Sequence, residues 1–185
     1  SLFIYKTMSE QRVGIVSYFK VYAGTVRSSD ELVNSRNGTH ERFGNIFVSE
    51  GKSREQVNEL QAGDLGVTVK LKDSHTNDTL NTKGTDLTIE RIHYPEPRIR
   101  TAVKPPNKSD TEKVSKALHQ IQEEDPTLIV EHSMELKQLI LHGQGQLHLD
   151  LVRYRIKKLY DLDLEFIRPR IPYRETITKM ANEVY

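Results

Sequence analysis

The chain has 185 residues, 36% hydrophobic and 29% charged, which is typical of globular proteins and excludes the polar, highly charged profile of disorder. Its 27 basic and 26 acidic residues leave a net charge of +1, so no global field would draw it to nucleic acid or to a membrane. Cysteine is absent, and no run approaches the roughly 20 apolar residues of a membrane span, so we expect a soluble, cytoplasmic protein without disulfides or thiolate metal sites.

The first half of the chain predicts strands. It begins without Met in an apolar run, Ser1 to Lys6, which suggests a fragment of a longer protein. As far as about residue 92, β-branched and aromatic residues alternate with polar ones between turn signals. Such frequent turns favour a small closed barrel, because closure removes exposed sheet edges. After the first run, the predicted strands lie in Val13–Val26, Leu32–Ser35, Arg42–Val48, Leu65–Leu71 and Leu87–Ile92.

One hairpin is predicted from a dipeptide. Asn37-Gly38 suits a two-residue type I′ turn, because both central residues of that turn need positive φ. We therefore expect Leu32–Ser35 to pair with Arg42–Val48.

A domain boundary is predicted at Tyr94-Pro95-Glu96-Pro97, since two prolines one residue apart cannot donate to a ladder. After a strand at Ile99–Val103, Ser109-Asp110-Thr111-Glu112 has the form of a capping box. It precedes apolar residues at helical spacing, and Pro126 should end that helix. The apolar residues of this helix are Val114, Ala117, Leu118 and Ile121.

The rest of the chain predicts a hairpin, a helix and a last strand. Leu128–Glu131 and Leu139–His142 form the hairpin, Gly143-Gln144-Gly145 leads into a helix from about Gln146 to Tyr160, and Leu162–Ile167 is the strand. The order β-α-β-β-α-β is the ferredoxin-like arrangement. On the second helix we expect an apolar side made of Leu147, Leu151, Tyr154 or the stem of Arg155, and Leu159.

The sequence contains no recognisable set of catalytic residues. His142 and His148, with Asp150, lack a third His or Cys at ligand spacing, so we predict no metal site. The turn Gly143-Gln144-Gly145 lacks both the third glycine of a dinucleotide fingerprint and the Gly-Lys-Ser/Thr ending of a P-loop. We interpret it as a structural turn.

A basic stretch runs from Arg153 to Arg174, with seven cations against three carboxylates. Such clustering suits contacts with nucleic-acid phosphates, but a solvated helix face followed by a basic loop is an equal alternative. The binding candidates in it are Arg153, Lys157, Lys158, Arg168, Arg170 and Arg174.

Several motifs resemble the elongation factor G family, in the same order along the whole chain. His142 to Asp150 is similar to the G-M-G-E-L-H-L-E signature of the third domain, and Glu123 to Thr127 matches E-E-D-P-T. Tyr94 to Pro97 resembles F-P-E-P, and Tyr173 to Ile177 resembles the Y-R-E-T-I that opens the fourth domain. In the first half, the segments similar to the second domain are Phe19–Thr25, Ala62–Asp64 and Leu71–Asp73.

The resemblance implies two domains, a β-barrel second domain over residues 1–93 and a ferredoxin-like third domain over 94–171, with the start of the fourth at 172–185. It implies no cofactor in this segment, whereas GTP and Mg²⁺ belong to a GTPase domain of the parent protein. The expected partners are the ribosome, through small-subunit RNA and protein, and that GTPase domain; neither membrane nor DNA is expected. The segment would dock a GTP-dependent translocase on the ribosome and couple its GTPase domain to the small subunit.

By resemblance, residues around the glycine turn form a surface between domains and the family's pocket for fusidane antibiotics. These residues are Pro95, Pro97, Asp125, Thr127, Gly143, Gly145, Leu147, His148 and Arg155. Five positions depart from the family pattern, which suggests a divergent paralogue. Gln144 stands for Met, Gln146 for Glu, Tyr154 for Asp, and Lys70 and Asn77 each for Gly.

Two other functions compete with this one. A ribosomal protection protein of the tetracycline-resistance type shares the domain order. A small acylphosphatase-like enzyme shares the ferredoxin-like fold, but Pro105-Pro106 removes donors where its phosphate loop would need them.

Overall fold

The computed structural model describes residues 1–10, 13–51 and 53–176. Within these ranges the first half contains ten strands in an eight-stranded and a two-stranded sheet. The strands are β1 (Leu2–Glu10), β2 (Gly14–Val21), β3 (Thr25–Arg27), β4 (Glu31–Asn34), β5 (His40–Arg42), β6 (Ile46–Glu50), β7 (Ser53–Val57), β8 (Glu59–Gln61), β9 (Leu65–Val69) and β10 (Thr79–Asn81).

The large sheet wraps around one core. Its strand order is β5-β4-β10-β1-β2-β9-β6-β7, with antiparallel neighbours, and β3 pairs with β8. Leu32 of β4 and Ile46 of β6 come from opposite ends of this order yet belong to the same buried cluster. At its centre Phe19 and Phe43 meet edge to face, with ring centroids 5.5 Å apart. The barrel-like, all-β first half is therefore confirmed.

The hairpin at Asn37-Gly38 differs from the prediction. β4 pairs with β5 across a five-residue loop, 35–39, and Gly38 has positive φ (71°) whereas Asn37 does not. The Asn37 side chain accepts the N–H of Thr39 at 2.9 Å and donates to Asp73 Oδ2 at 2.6 Å, which stabilises the longer loop. The predicted partner run is divided, because only Arg42 of it lies in β5 while β6 pairs with β7 and β9.

The prediction of a strand at Leu87–Ile92 is wrong. The segment carries no ladder and is held by side chains. Ser35 Oγ and Asn81 Nδ2 donate to its first carbonyl, and Thr79 Oγ1 accepts the N–H of its third residue. Asn77 bonds both the N–H and the carbonyl of its last residue, each at 3.0 Å. Side chains thus satisfy backbone groups that the alternating pattern alone would assign to a neighbouring strand.

The second half has the predicted order β-α-β-β-α-β. Its elements are β11 (Ile99–Lys104), α1 (Thr111–Glu124), β12 (Ile129–Ser133), β13 (Gln138–Gly143), α2 (Gln146–Tyr160) and β14 (Glu165–Ile167). The sheet order β12-β13-β11-β14 is antiparallel throughout, and both helices contribute to one buried cluster with Leu139 and Leu141 of β13. This is the ferredoxin-like fold.

The start of α1 corrects the capping-box prediction. A 3-10 turn over Lys108–Asp110 precedes the helix, and the N-cap is Asp110 rather than Ser109. The Asp110 Oδ2 atom accepts a hydrogen bond from Asn107 Nδ2 at 3.0 Å, so this carboxylate is engaged by the preceding loop. The predicted buried residues of α1 and its end before Pro126 are confirmed.

The bounds of α2 are confirmed, but the apolar side that the spacing predicted is not the side of the helix that lies in the core. The buried residues are Leu149, Val152 and Ile156. The predicted row lies outward instead, and its exposed fractions are 84% for Leu147, 54% for Leu151, 58% for Tyr154 and 43% for Leu159. Both rows have helical spacing, so periodicity could not choose between them.

The chain after β14 crosses the face of the small sheet opposite the helices. Ile140 lies on that outer face, because its neighbours Leu139 and Leu141 face the helices, and yet it is buried. Beyond β14, Arg170 N donates to Gln138 Oε1 at 2.9 Å, and Arg174 approaches Glu135 to 3.6 Å. The predicted start of a further domain is described only as far as Thr176; Ile177 and the residues after it lie outside the described ranges.

We predict opposite effects of glycine at two left-handed positions, Lys70 (φ 62°) and Asn77 (φ 78°). Left-handed backbone costs an L-residue about 1–2 kcal/mol, which roughly offsets the entropy that glycine loses on folding, so Lys70→Gly should leave stability unchanged or raise it slightly. Asn77→Gly should lower it by about 1–2 kcal/mol, because two hydrogen bonds to Ile92 are lost. Urea unfolding measures both; equal destabilisation by the two substitutions would contradict the assignment.

Candidate functional site

The turn between β13 and α2 requires glycine for packing. A Cβ on Gly143 would lie 2.8 Å from Leu149 Cδ2, which is closer than real Cβ contacts come. Gly143 therefore leaves room for Leu149, in the first turn of α2, to pack in the core. The carbonyl of Gly145 accepts the N–H of Leu149 at 3.2 Å.

A chain of hydrogen bonds, here called the turn relay, starts at this turn. Gln144 donates its side-chain amide to the carbonyl of Pro95 (2.8 Å) and its backbone N–H to His148 Nδ1 (3.1 Å). Because Nδ1 accepts, the imidazole proton lies on Nε2, which donates to Asp125 Oδ2 at 3.0 Å. Asp125 Oδ1 in turn accepts the N–H and the hydroxyl of Thr127, at 3.0 and 2.6 Å.

Charge in the turn relay is held on Asp125. Burial by itself would raise the pKa of Asp125, but the two hydrogen bonds from Thr127 and the neighbouring His148 together lower it below its ordinary value. The relay therefore presents a stable carboxylate at its centre and holds the segment at Pro95 against the start of α2.

At the turn itself, the N–H of Gln144 is not available to an anion, because it donates to His148 Nδ1. This contact fits the interpretation of Gly143-Gln144-Gly145 as a structural turn.

Three further candidates lie outside the turn relay. Leu147 points to solvent beside it. Pro97 lies on a shallow cleft with Glu131 and His142, on the β12–β13 side. Arg155 faces the barrel, as described next. The structure thus brings together Pro95, Asp125, Thr127, Gly143, Gly145 and His148, but not all nine candidates.

A second polar network, here called the junction, joins β1 of the barrel to the end of α1. Thr7 Oγ1 donates to the carbonyl of Glu123 at 2.6 Å, and the Ser9 N–H donates to Glu124 Oε1 at 2.9 Å. Gln120 Nε2 bonds Ser9 Oγ, and Gln120 Oε1 accepts the hydroxyl of Tyr160 at 2.7 Å. The junction therefore includes residues of β1, α1 and α2.

Glu124 connects all three elements of the junction. While one of its oxygens accepts the Ser9 N–H, the other pairs with the guanidinium of Arg155 on α2. Its side chain is only 11% exposed. Each carboxylate of the acidic run Glu123-Glu124-Asp125 has a partner.

A histidine that the sequence did not single out completes the junction. His75 Nδ1 lies 2.6 Å from Glu123 Oε2, and its Nε2 lies 3.1 Å from Asp73 Oδ1. The hydrogen bond to Glu123 is the main reason that the pKa of His75 is raised to about 9, and the same contact lowers the pKa of Glu123. No motif marked His75, Thr7 or Ser9; the only sequence signal was an acidic helix end, which opposes the macrodipole.

The basic stretch is divided by the fold. On the helix layer, Arg153 and Lys157 approach the same Asp163 carboxylate, to 3.8 and 3.0 Å, and Lys158 lies 5.7 Å from the centre of the Tyr154 ring. Arg168, Arg170 and Arg174 instead follow β14, on the segment that crosses the outer face of the sheet. The predicted cluster is therefore not one surface.

Among the residues that the structure describes, no group of three or more His, Cys, Asp or Glu side chains is arranged to hold a metal ion. None of the helices in the described ranges is both long and apolar enough to cross a membrane.

Comparisons with known proteins assign both halves of the chain. The family model for elongation factor G domain 2 matches residues 1–83, and the model for elongation factor G domain III matches residues 94–168. The chain belongs to the elongation factor G family. Neither matched domain is the GTPase domain of that family.

A crystal structure of a protein from Thermus thermophilus is similar to the chain over both domains. The two are 29% identical, with a TM-score of 0.80, and the match covers 96% of this chain and 27% of the other. The chain thus spans about a quarter of the length of that protein. In elongation factor G terms, the turn relay lies in domain III, and the junction joins domain 2 to domain III.

We predict that the junction loosens at alkaline pH. The folded pKa of His75, about 9, lies above the roughly 6.5 of an unfolded histidine. Its contribution to stability is therefore full below about pH 6.5 and is lost as pH rises through about 9. The free energies of unfolding of wild type and His75→Gln should accordingly differ most at acidic pH and converge above about pH 9.

NMR titration supplies the direct measurement and its control. The ring signals of His75 should titrate near pH 9 in wild type, and Glu123→Gln should lower that midpoint toward an ordinary histidine value. Glu131→Gln, which removes the partner of His142 instead, should not move it. An unchanged titration midpoint of His75 in Glu123→Gln would contradict the prediction.

Proposed function

We propose that this chain is the docking and coupling segment of a GTP-dependent ribosomal translocase. It docks on the small ribosomal subunit and links that contact to a GTPase domain of the parent protein. Support comes from the presence of elongation factor G domains 2 and III in one chain. The observation that carries the coupling role is the exposed apolar row on α2.

That row, Leu147, Leu151 and Tyr154, occupies one side of the helix at spacings of four and three residues. Each of these side chains is more than half exposed, whereas the opposite row of α2 is in the core. Contiguous exposed apolar side chains mark interaction surfaces more often than chance. We assign this surface to the GTPase domain, with the turn relay at its edge because Leu147 adjoins His148.

The coupling path leads from this row into domain 2. A displacement of α2 acts on Arg155, which holds Glu124, and Glu124 holds the Ser9 N–H of β1. Tyr160, at the end of α2, reaches Ser9 through Gln120. Packed side chains and hydrogen bonds of this kind are the physical carriers of coupling between sites.

The remaining assignments follow from the same proposal. GTP and Mg²⁺ are placed on the GTPase domain, the protein is cytoplasmic, and the domain limits are 1–93, 94–171 and 172–185. The turn relay, with Leu147 and Arg155 beside it, is our candidate for the fusidane pocket. Gln144 would alter that pocket, since its amide bonds Pro95 where a Met could not.

Docking is tested by co-sedimentation with purified small ribosomal subunits. We expect binding that weakens with salt, and a lower affinity and salt slope for the Ala triple variant of Arg153, Lys157 and Lys158. The matched control is Lys113→Ala with Lys116→Ala, which removes exposed cations from α1. Absence of the wild-type chain from the pellet would contradict docking.

Calorimetry with GTP should show no saturable binding to this chain. Micromolar GTP binding would contradict the proposal that GTP binds to the GTPase domain and not to this segment.

Coupling is tested by titrating the chain with the separately produced GTPase domain of the parent protein. Leu147→Ser with Leu151→Ser should weaken the complex by about tenfold or more, since a buried leucine contributes about 1.5–3 kcal/mol. Met134→Ser, an equally exposed apolar residue at the β12–β13 turn, is the control and should have no effect. Equal affinities of wild type and both variants for the GTPase domain would show that the exposed row of α2 is not part of the interface.

A further inference from the structure

A cleft at the open edge of the small sheet carries two arginines. It has a volume of about 390 Å³ and lies where β11 and α2 begin and β14 ends. Arg100 and Arg168 line it together with Gln146, the first residue of α2. Its floor is apolar, since Ile99 and Phe166 pack against the domain III core. The other lining residues are Thr101, Leu149, Ile167 and Pro169.

These two arginines differ from most of the other cations nearby. Arg153 and Lys157 share Asp163, Lys104 pairs with Glu165, and Arg155 pairs with Glu124. Within the described ranges Arg100 and Arg168 form no ion pair, and no Asp or Glu lines the cleft. The nearest acid along α2, Asp150, lies one turn on and accepts the side-chain amide of Gln146 at 3.0 Å.

At the start of α2 the cleft is lined by the neutral Gln146. The lining therefore includes no carboxylate that would repel an anion. The hydroxyl of Thr101 is not available to a ligand, because it donates to the carbonyl of Ile167. The charged donors that line the cleft are Arg100 and Arg168. Two arginines in a cleft with an apolar floor suit a phosphodiester, because arginine binds phosphate oxygens in a bidentate manner and the sugar can pack on the floor.

We propose that this cleft binds a phosphate group of an RNA backbone. The site rests on the proposed docking on ribosomal RNA and specifies it, since it adds one phosphate contact at the edge of β14 to the contacts expected from the cations of α2. Arg100 and Gln146 enter the binding surface, and Arg168 is retained. Arg153 and Lys157 are excluded from this site, because Asp163 already neutralises them.

The test uses the whole chain and a fluorescently labelled uridine octamer, with binding followed by anisotropy at several salt concentrations. Arg100→Gln and Arg168→Gln should each weaken binding about fivefold and lower the salt slope by about one, as expected for loss of one phosphate contact. Gln146→Glu should weaken binding similarly by adding a carboxylate. Arg27→Gln, which removes an exposed arginine of the barrel that pairs with Glu59, is the matched control and should bind as wild type does.

The outcomes separate the site from the proposed function. Octamer binding that is unaffected by Arg100→Gln and Arg168→Gln overturns the cleft, even if the chain still sediments with ribosomal subunits. Loss of sedimentation with the octamer effect intact overturns ribosome docking and leaves the site. Inorganic phosphate should compete only at millimolar concentration; equal affinity for phosphate and octamer would make the cleft a free-anion site and overturn the RNA assignment. Circular dichroism confirms that each variant folds.

Discussion

The architecture depends on one nearly buried carboxylate, that of Glu124. Burying a charge is costly unless it is paired and hydrogen-bonded, and Glu124 meets both requirements with groups from different parts of the chain. The N–H of Ser9 comes from domain 2 and the guanidinium of Arg155 comes from α2. Separating the two domains, or tilting α2, would leave this charge without one of its partners. The relative placement of three elements is therefore coupled through a single side chain.

The next residue along the chain extends this role. Asp125 leaves the helix end in another direction and binds His148 and Thr127. The end of α1 thus holds the junction on one side and the turn relay on the other, within two consecutive residues. A change at the start of α2 that shifts Asp125 can reach the barrel through the adjacent Glu124, as the proposed coupling role requires.

Local pattern predicted the elements of the fold but not their rotation. The order β-α-β-β-α-β, the limits of α2 and the buried face of α1 follow from spacing, proline and glycine. The inward row of α2 did not follow, because both of its rows have helical spacing and the choice rests on how the helix packs against the rest of the domain III core. The Asn37-Gly38 turn failed similarly, since Asn37 bonds Asp73, 36 residues away. At the candidate site, the motifs identified the residues of the turn relay but not which of them hydrogen-bond to one another.

The sequence by itself determined the family, the succession of strands and helices, and the location of the glycine turn, because these depend on local propensity and on motifs in fixed order. Only the tertiary structure decided which charges are free. Ser9 and Glu124 are 115 residues apart, and no local period relates them. In the same way, the contiguous basic stretch was divided between two faces of domain III, with Asp163 neutralising the part on α2. Pairing between distant residues is set by how the layers pack, and packing is a property of the whole chain.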